Sequence, residues 1–121
     1  MFVRLWLPVI AYMAVIFYVS SLSDAPLPQN MTDVSGHMFG YVGLGVVCAR
    51  AFAGGLPARI TLRVAALSLL LAAGYGVTDE IHQMFVPGRS AELRDLYADA
   101  LGAAIGIGAC WAWGIIWPRA S

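Results

Sequence analysis

The sequence predicts an all-α membrane protein, a bundle of four transmembrane helices with both termini in the cytoplasm. Composition, chain length and the distribution of the arginines support this prediction. Of the 121 residues, 60% are apolar and 12% are charged, whereas soluble domains average about 45–50% and 25%. A soluble protein of this size has too little interior to bury so many apolar side chains. The composition therefore excludes a soluble enzyme, a disulfide-rich secreted domain and a disordered chain.

Four spans of about 20 residues need about 80 residues, which this chain can supply. Within a single domain over residues 1–121, the apolar segments predict spans at about residues 3–22, 34–53, 62–79 and 96–117. Proline and glycine mark the three connections: Pro26 and Pro28, then residues 54–57, then Pro87 and Gly88.

The first apolar segment has a basic start, at Arg4, and small residues near its end, which is also typical of a cleaved signal peptide. Its apolar stretch is longer than the roughly 7–15 residues of a signal core, so we expect a retained transmembrane helix. Cys48 and Cys110 both lie in apolar segments. We interpret them as small buried hydrophobic residues in preference to a disulfide.

The arginines predict the orientation of the spans. Five of the seven lie near the N-terminus, the second connection or the C-terminus: Arg4, Arg50, Arg59, Arg63 and Arg119. Arg89 and Arg94 lie on the opposite side. The positive-inside rule places both termini in the cytoplasm, which requires an even number of spans. We expect a multi-pass protein of the cytoplasmic membrane, with the lipid bilayer as its partner and no basic patch for nucleic acid.

The acidic residues and histidines segregate to the outer side of the predicted bundle. All nine lie at or beyond the outer ends of the spans: Asp24, Asp33, His37, Asp79, Glu80, His82, Glu92, Asp95 and Asp99. One interpretation is that acids merely avoid the arginine-rich side. Because ionisable groups at membrane depth are costly, and these come from three helix ends, we predict a polar functional site at the outer face.

Asp33, His37 and Tyr41 are spaced i, i+4, i+8 along the second span, and so lie on one helix face. The structural interpretation is a helix cap followed by a hydrogen-bonded histidine and tyrosine at the membrane interface. The functional interpretation is a proton-carrying histidine, whose basicity the Asp33 carboxylate one turn away increases.

The third span ends in Asp79-Glu80-Ile81-His82-Gln83, with acids at a helix end where the helix dipole disfavours them. Spacing places Tyr75 and His82 on the face of Asp79, and Gly76, Glu80 and Gln83 on an adjacent face. The segment lacks the His-Glu-x-x-His spacing of a zinc site, so we expect no metal and no other cofactor.

Arg89 follows the turn at Pro87 and Gly88. Its planar guanidinium group can pair with Glu80 or Asp95, or with an anionic ligand. The alternative is a surface arginine that contacts only lipid phosphate.

One stripe of the fourth span contains Asp95, Asp99, Gly102 and Gly106, at i, i+4, i+7 and i+11. The two glycines have the small-xxx-small spacing that lets membrane helices approach closely. We expect this face to pack inward, which draws both aspartates toward Glu80 and His37.

Together these motifs resemble the VanZ-like family of small membrane proteins. The resemblance extends from Asp33 to Gly106 and rests on four motifs: Asp33-x3-His37-x3-Tyr41, Asp79-Glu80-x2-Gln83-x-Phe85-x-Pro87-x-Arg89, Asp95, and Gly102-x3-Gly106. It implies a four-helix bacterial membrane protein, and the name-giving member of the family is associated with resistance to the glycopeptide teicoplanin. Val34 and Asp99 depart from the pattern, which has Lys and Asn at these positions.

Three functions are compatible with the predicted site. In the first, an enzyme acts on a lipid-linked or other envelope substrate, with Glu80 as general acid or base, His37 as proton relay and Asp95 as orienting group. The remaining candidates bind the ligand: Asp33, Tyr41, Asp79, Gln83, Arg89 and Asp99. In the second, a non-catalytic protein binds a glycopeptide, a lipid precursor or a partner protein. The third, a proton-coupled transporter, is disfavoured because no ionisable residue is expected at mid-depth.

Overall fold

A computed structural model of the chain contains four α-helices and no strand in the residues that it describes. These helices are α1, Phe2–Ser20; α2, Asp33–Ala53; α3, Leu62–Gln83; and α4, Leu93–Ile116. The backbone is described for residues 2–20, 33–56, 58–85 and 93–116, and the side chains for residues 2–19, 38–56, 58–85 and 95–115. The predicted all-α class is confirmed.

Three of the four helices are long and apolar enough to cross a membrane. The three segments are Phe2–Val19, Leu62–Gln83 and Asp95–Ile115. In α2, whose described side chains begin at Met38, the stretch Met38–Ala53 is apolar as well. Helices of this length and composition fit a membrane protein, as the composition of the chain predicts.

Two helices extend beyond the predicted spans. α3 continues past the expected end at Asp79 to Gln83, and α4 begins at Leu93, before the expected start at residue 96. The reason is burial, since the exposed fractions of Asp79, Glu80 and Gln83 are 5%, 8% and 1%. Polar composition alone suggests the start of a loop, whereas these side chains lie on the inner face of a helix that continues.

The start of α3 and the turn before it have clear local causes. Thr61 lies in extended conformation, and its Oγ1 accepts a hydrogen bond from the Val64 N–H at 3.2 Å, which is an N-cap. Before it, the chain leaves α2 through Gly54 and Gly55, whose φ values are 82° and 126°. Glycine is the residue that adopts positive φ without steric cost, so this pair ends the helix.

α2 and α4 form the closest helix pair, and glycine makes the approach possible. A Cβ atom at Gly102 would overlap the carbonyl oxygen of Met38, and one at Gly106 would overlap that of Val42. From the other side, a Cβ atom at Gly45 would overlap the backbone of α4. Contact between backbones is what the small-xxx-small spacing allows in membrane helices. The expected inward packing of this stripe is confirmed.

α1 and α4 lie on opposite sides of the α2–α3 pair, since each contacts both helices and, within the described ranges, they do not contact each other. Tyr12 of α1 donates a hydrogen bond to the carbonyl oxygen of Gly40 at 2.7 Å. At the other end of α1, Trp6 packs edge-on against Phe52, with ring centroids 5.0 Å apart. α1 therefore covers the groove between α2 and α3.

Cys48 and Cys110 are both free and buried. Cys48 packs in a core with Leu44 and Ala72, and Cys110 in a second core with Ile107. The two thiols therefore behave as small hydrophobic side chains, as the sequence predicts.

Gly106→Ala tests the α2–α4 contact, because the added methyl group would overlap the carbonyl oxygen of Val42, a backbone atom that cannot rotate away. We expect the free energy of unfolding to fall by about 1–3 kcal/mol, the usual cost of overpacking. The measurement is thermal unfolding in detergent micelles. Gly108→Ala is the matched control, since a Cβ atom there meets nothing within 4 Å. Equal stability of the two variants would contradict the close approach of these helices.

Candidate functional site

Six polar side chains are buried near one end of the bundle, toward the C-terminus of α3 and the N-termini of α2 and α4. We call them the polar cluster: Tyr41, Asp79, Glu80, Gln83, Asp95 and Asp99. Their exposed fractions lie between 0% and 8%. Acidic side chains are almost never buried to this extent unless they are paired, so the cluster needs a structural or functional reason.

Tyr41 connects α2 to α3 within the cluster. Its hydroxyl donates a hydrogen bond to Asp79 Oδ2 at 3.4 Å, which is long for an O–H donor. The other carboxylate oxygen, Asp79 Oδ1, is buried and has no hydrogen-bond partner among the described residues. Buried carboxylate oxygens are nearly always hydrogen-bonded. Asp79 Oδ1 is therefore the acceptor at which a further donor is expected.

Asp99 connects α4 to the same part of the polar cluster. Its side chain is fully buried, and a Cβ atom at Gly76 would lie 3.0 Å from Asp99 Oδ2. The missing side chain of Gly76 therefore provides the space for this carboxylate, one turn before Asp79. Both Asp79 and Asp99 interact electrostatically with the Tyr41 hydroxyl. Three helices thus meet at one tyrosine.

Glu80 and Gln83 extend the cluster toward the end of α3. Both lie on the buried face of the helix, together with Gly76 and Asp79. On α4, Asp95 is 5% exposed and precedes Asp99 by one turn. Among the described residues, the arrangement offers mainly carboxylate oxygens, which accept hydrogen bonds, together with the Tyr41 hydroxyl and the Gln83 amide, which also donate.

The family comparison applies to the whole of this arrangement. The profile of the family described as VanZ/LLP1 matches residues 5–116, a range that contains every residue of the polar cluster. The chain belongs to the VanZ/LLP1 family. The resemblance inferred from the motifs is thereby confirmed. Comparisons with curated proteins and with solved structures gave no match.

In this VanZ/LLP1 chain, the α3 face predicted to carry Tyr75, Asp79 and His82 contacts two different helices, α1 and α2. Tyr75 donates a hydrogen bond to the carbonyl oxygen of Met13, and the His82 ring stacks on Phe17 with centroids 4.3 Å apart. Both therefore contact α1, whereas Asp79 contacts α2. No sequence signal could have revealed this division, because it depends on where α1 packs.

Three predicted site residues fall at or beyond the edges of what the structure describes. Asp33 and His37 belong to α2, but their side chains lie outside the described residues, as does all of Arg89. Their proposed roles stay predictions. Within the described residues, no group of three His, Cys, Asp or Glu side chains could hold a metal ion.

Sequence analysis did not single out Gly76 as part of the VanZ/LLP1 site, although it creates the position of Asp99. A glycine inside a membrane helix is too common to indicate a role by itself. Asp99 adds a second acid beside Tyr41.

Tyr41→Phe tests the link between α2 and α3 in this VanZ/LLP1 protein. The variant keeps the ring and removes the donor to Asp79 Oδ2, which leaves a buried acceptor unsatisfied. We expect the free energy of unfolding to fall by about 1–3 kcal/mol, measured by thermal unfolding in detergent micelles. Tyr18→Phe, at a tyrosine that is 67% exposed, is the control and should match the wild type. A Tyr41→Phe protein as stable as this control would show that the contact contributes nothing.

Proposed function

We propose that this VanZ/LLP1 protein crosses the bacterial cytoplasmic membrane four times and binds a cell-envelope ligand in the polar cluster at the outer face. The supporting observation is the burial of six polar side chains at one end of a bundle whose helices include three apolar enough to cross a membrane. Ionisable groups at membrane depth are costly, and they are retained where they serve a ligand, an ion or a proton.

The chemistry of the cluster favours a ligand rich in hydrogen-bond donors. Asp79, Glu80, Asp95 and Asp99 present carboxylates, and Asp79 Oδ1 has no donor among the described residues. Sugar hydroxyls and ammonium groups are donors of the required kind. A lipid-linked sugar precursor and a glycopeptide such as teicoplanin both carry them. In this proposal Arg89 binds an anionic group of the same ligand.

The proposal includes α2 as a fourth span. With 21 residues the helix is about 31 Å long, which is enough to cross the hydrocarbon core. Phe39 is its only exposed side chain among residues 38–53, so lipid contacts little of α2.

The proposed orientation, with both termini in the cytoplasm, is tested by two matched serine variants in a protein whose own cysteines are replaced by alanine. Ser90→Cys lies between α3 and α4 and should react with a membrane-impermeant maleimide on intact spheroplasts. Ser121→Cys, at the C-terminus, should react only after permeabilisation, because the arginine-rich side faces the cytoplasm. The reverse pattern would put the polar cluster at the cytoplasmic face and overturn the proposal.

A second candidate is catalysis at the same cluster, with Glu80 as general acid or base, His37 as proton relay and Asp95 as orienting group. The observation that favours it is the burial of Glu80, which is 8% exposed. General acid–base catalysis requires a positioned protonatable group whose pKa lies near the operating pH, and burial is one way in which enzymes tune the pKa of a carboxyl group.

Binding measurements on the protein in nanodiscs test these proposals, with teicoplanin and a lipid-linked sugar precursor as separate probes. We expect the wild type to bind at least one of them. Asp79→Asn should weaken that binding by about tenfold or more, the loss expected from one charged hydrogen bond. Thr78→Val is the matched control, because Thr78 is exposed and its hydroxyl bonds only to the Tyr75 carbonyl oxygen of its own helix, at 2.7 Å.

The outcomes separate the two candidates. Glu80→Gln that binds normally but no longer converts the precursor supports catalysis. If the wild type and the Glu80→Gln variant bind the precursor equally well and neither converts it, the result supports a non-catalytic role. If the Asp79→Asn variant binds the probe as tightly as the wild type does, the polar cluster is not the ligand site.

A further inference from the structure

A cleft of about 430 Å³ lies at the end of the bundle opposite the polar cluster. Its wall is formed by the start of α3, at Thr61 and Leu62, and by Trp111 and Ile115 of α4, with Arg59 beside them. Asp79 lies 17 residues further along α3 than Leu62, which is about 25 Å in a helix. The cleft is therefore separate from the candidate site already described.

Among the described residues, the charged side chains around this cleft are positive. Arg59 lines it and is exposed, and Arg63 is exposed on the first turn of α3. The sequence has no Asp or Glu between residues 34 and 78, and none after residue 99. No Asp or Glu side chain at this end of the bundle therefore competes with an anion for Arg59.

Three of the side chains that line the cleft are apolar and exposed. Leu62 is 87% exposed, Ile115 58% and Trp111 54%. Exposed apolar side chains on a membrane helix contact acyl chains, and tryptophan is enriched where the chains meet the headgroups. The cleft thus combines a cationic group with an apolar surface at the level of the membrane interface.

The position of Arg59 against α4 is fixed by backbone packing. A Cβ atom at Gly114 would overlap the carbonyl oxygen of Ala58, so the chain just before Arg59 lies directly on α4. Ala58 and Ile60, on either side of Arg59, are each 6% exposed. The backbone that carries Arg59 is therefore anchored, while its guanidinium group remains accessible.

We propose that this cleft binds the headgroup of an anionic phospholipid. The guanidinium group of Arg59 contacts the phosphodiester, and the acyl chains lie along Leu62, Trp111 and Ile115. A lipid fits better than free phosphate because three exposed apolar side chains line the same cleft as Arg59. Guanidinium groups match phosphate oxygens in geometry as well as charge.

Thermal unfolding of the full chain in detergent micelles, with increasing dioctanoyl-phosphatidylglycerol, tests this proposal, since a ligand that binds only the folded state raises stability by mass action. We expect saturable stabilisation of the wild type. Arg59→Gln should weaken the apparent affinity by about tenfold, as for one lost charged contact. Arg59→Lys keeps the charge and should retain most of the effect.

Arg4→Gln is the matched control, because it removes the same charge from an exposed side chain of α1 that does not line the cleft. It should bind phosphatidylglycerol like the wild type. Equal stabilisation of Arg59→Gln and the wild type would overturn the proposal, as would equal stabilisation by dioctanoyl-phosphatidylcholine. Stabilisation by glycerol phosphate alone at the same concentration would show a free-phosphate site and would overturn the assignment to a lipid.

Discussion

Backbone contact between α2 and α4 is the constraint on which the rest of this bundle depends. Lipid tails are as apolar as leucine side chains, so helices in a membrane associate through packing and hydrogen bonds instead of the hydrophobic effect. Gly45, Gly102 and Gly106 supply that packing, because a methyl group at any of them would overlap the facing backbone. The same contact fixes the first turns of α4, and with them Asp95 and Asp99, beside α2 and α3.

The polar cluster is a consequence of this packing. Asp99 fits because Gly76 has no side chain. The Tyr41 hydroxyl can donate to Asp79 Oδ2 because α2 and α3 pack side by side. Buried carboxylates are stable only while donors surround them, and removing one partner leaves the others in a low-dielectric environment without compensation. Helix packing therefore creates the cluster, and a change in either is expected to affect both.

The two ends of the bundle have opposite chemistry. One end presents carboxylates and amides, which accept hydrogen bonds, and the other presents arginine beside exposed apolar side chains. Our two proposals follow from this division: a donor-rich envelope ligand at the acidic end and an anionic lipid headgroup at the basic end. Arg59 and Asp79 lie at opposite ends of α3, so each site can be altered without direct contact with the other.

The sequence by itself determined the helical class, the positions of four helices, the family and the inward face of α4, because composition and residue period are local properties. It could not determine that the buried face of α3 continues to Gln83, since that burial depends on α2 and α4. It also could not predict that His82 stacks on Phe17 while Asp79 bonds to Tyr41. Helix period specifies which residues share a face, but only the packing of segments distant in sequence decides what each face contacts.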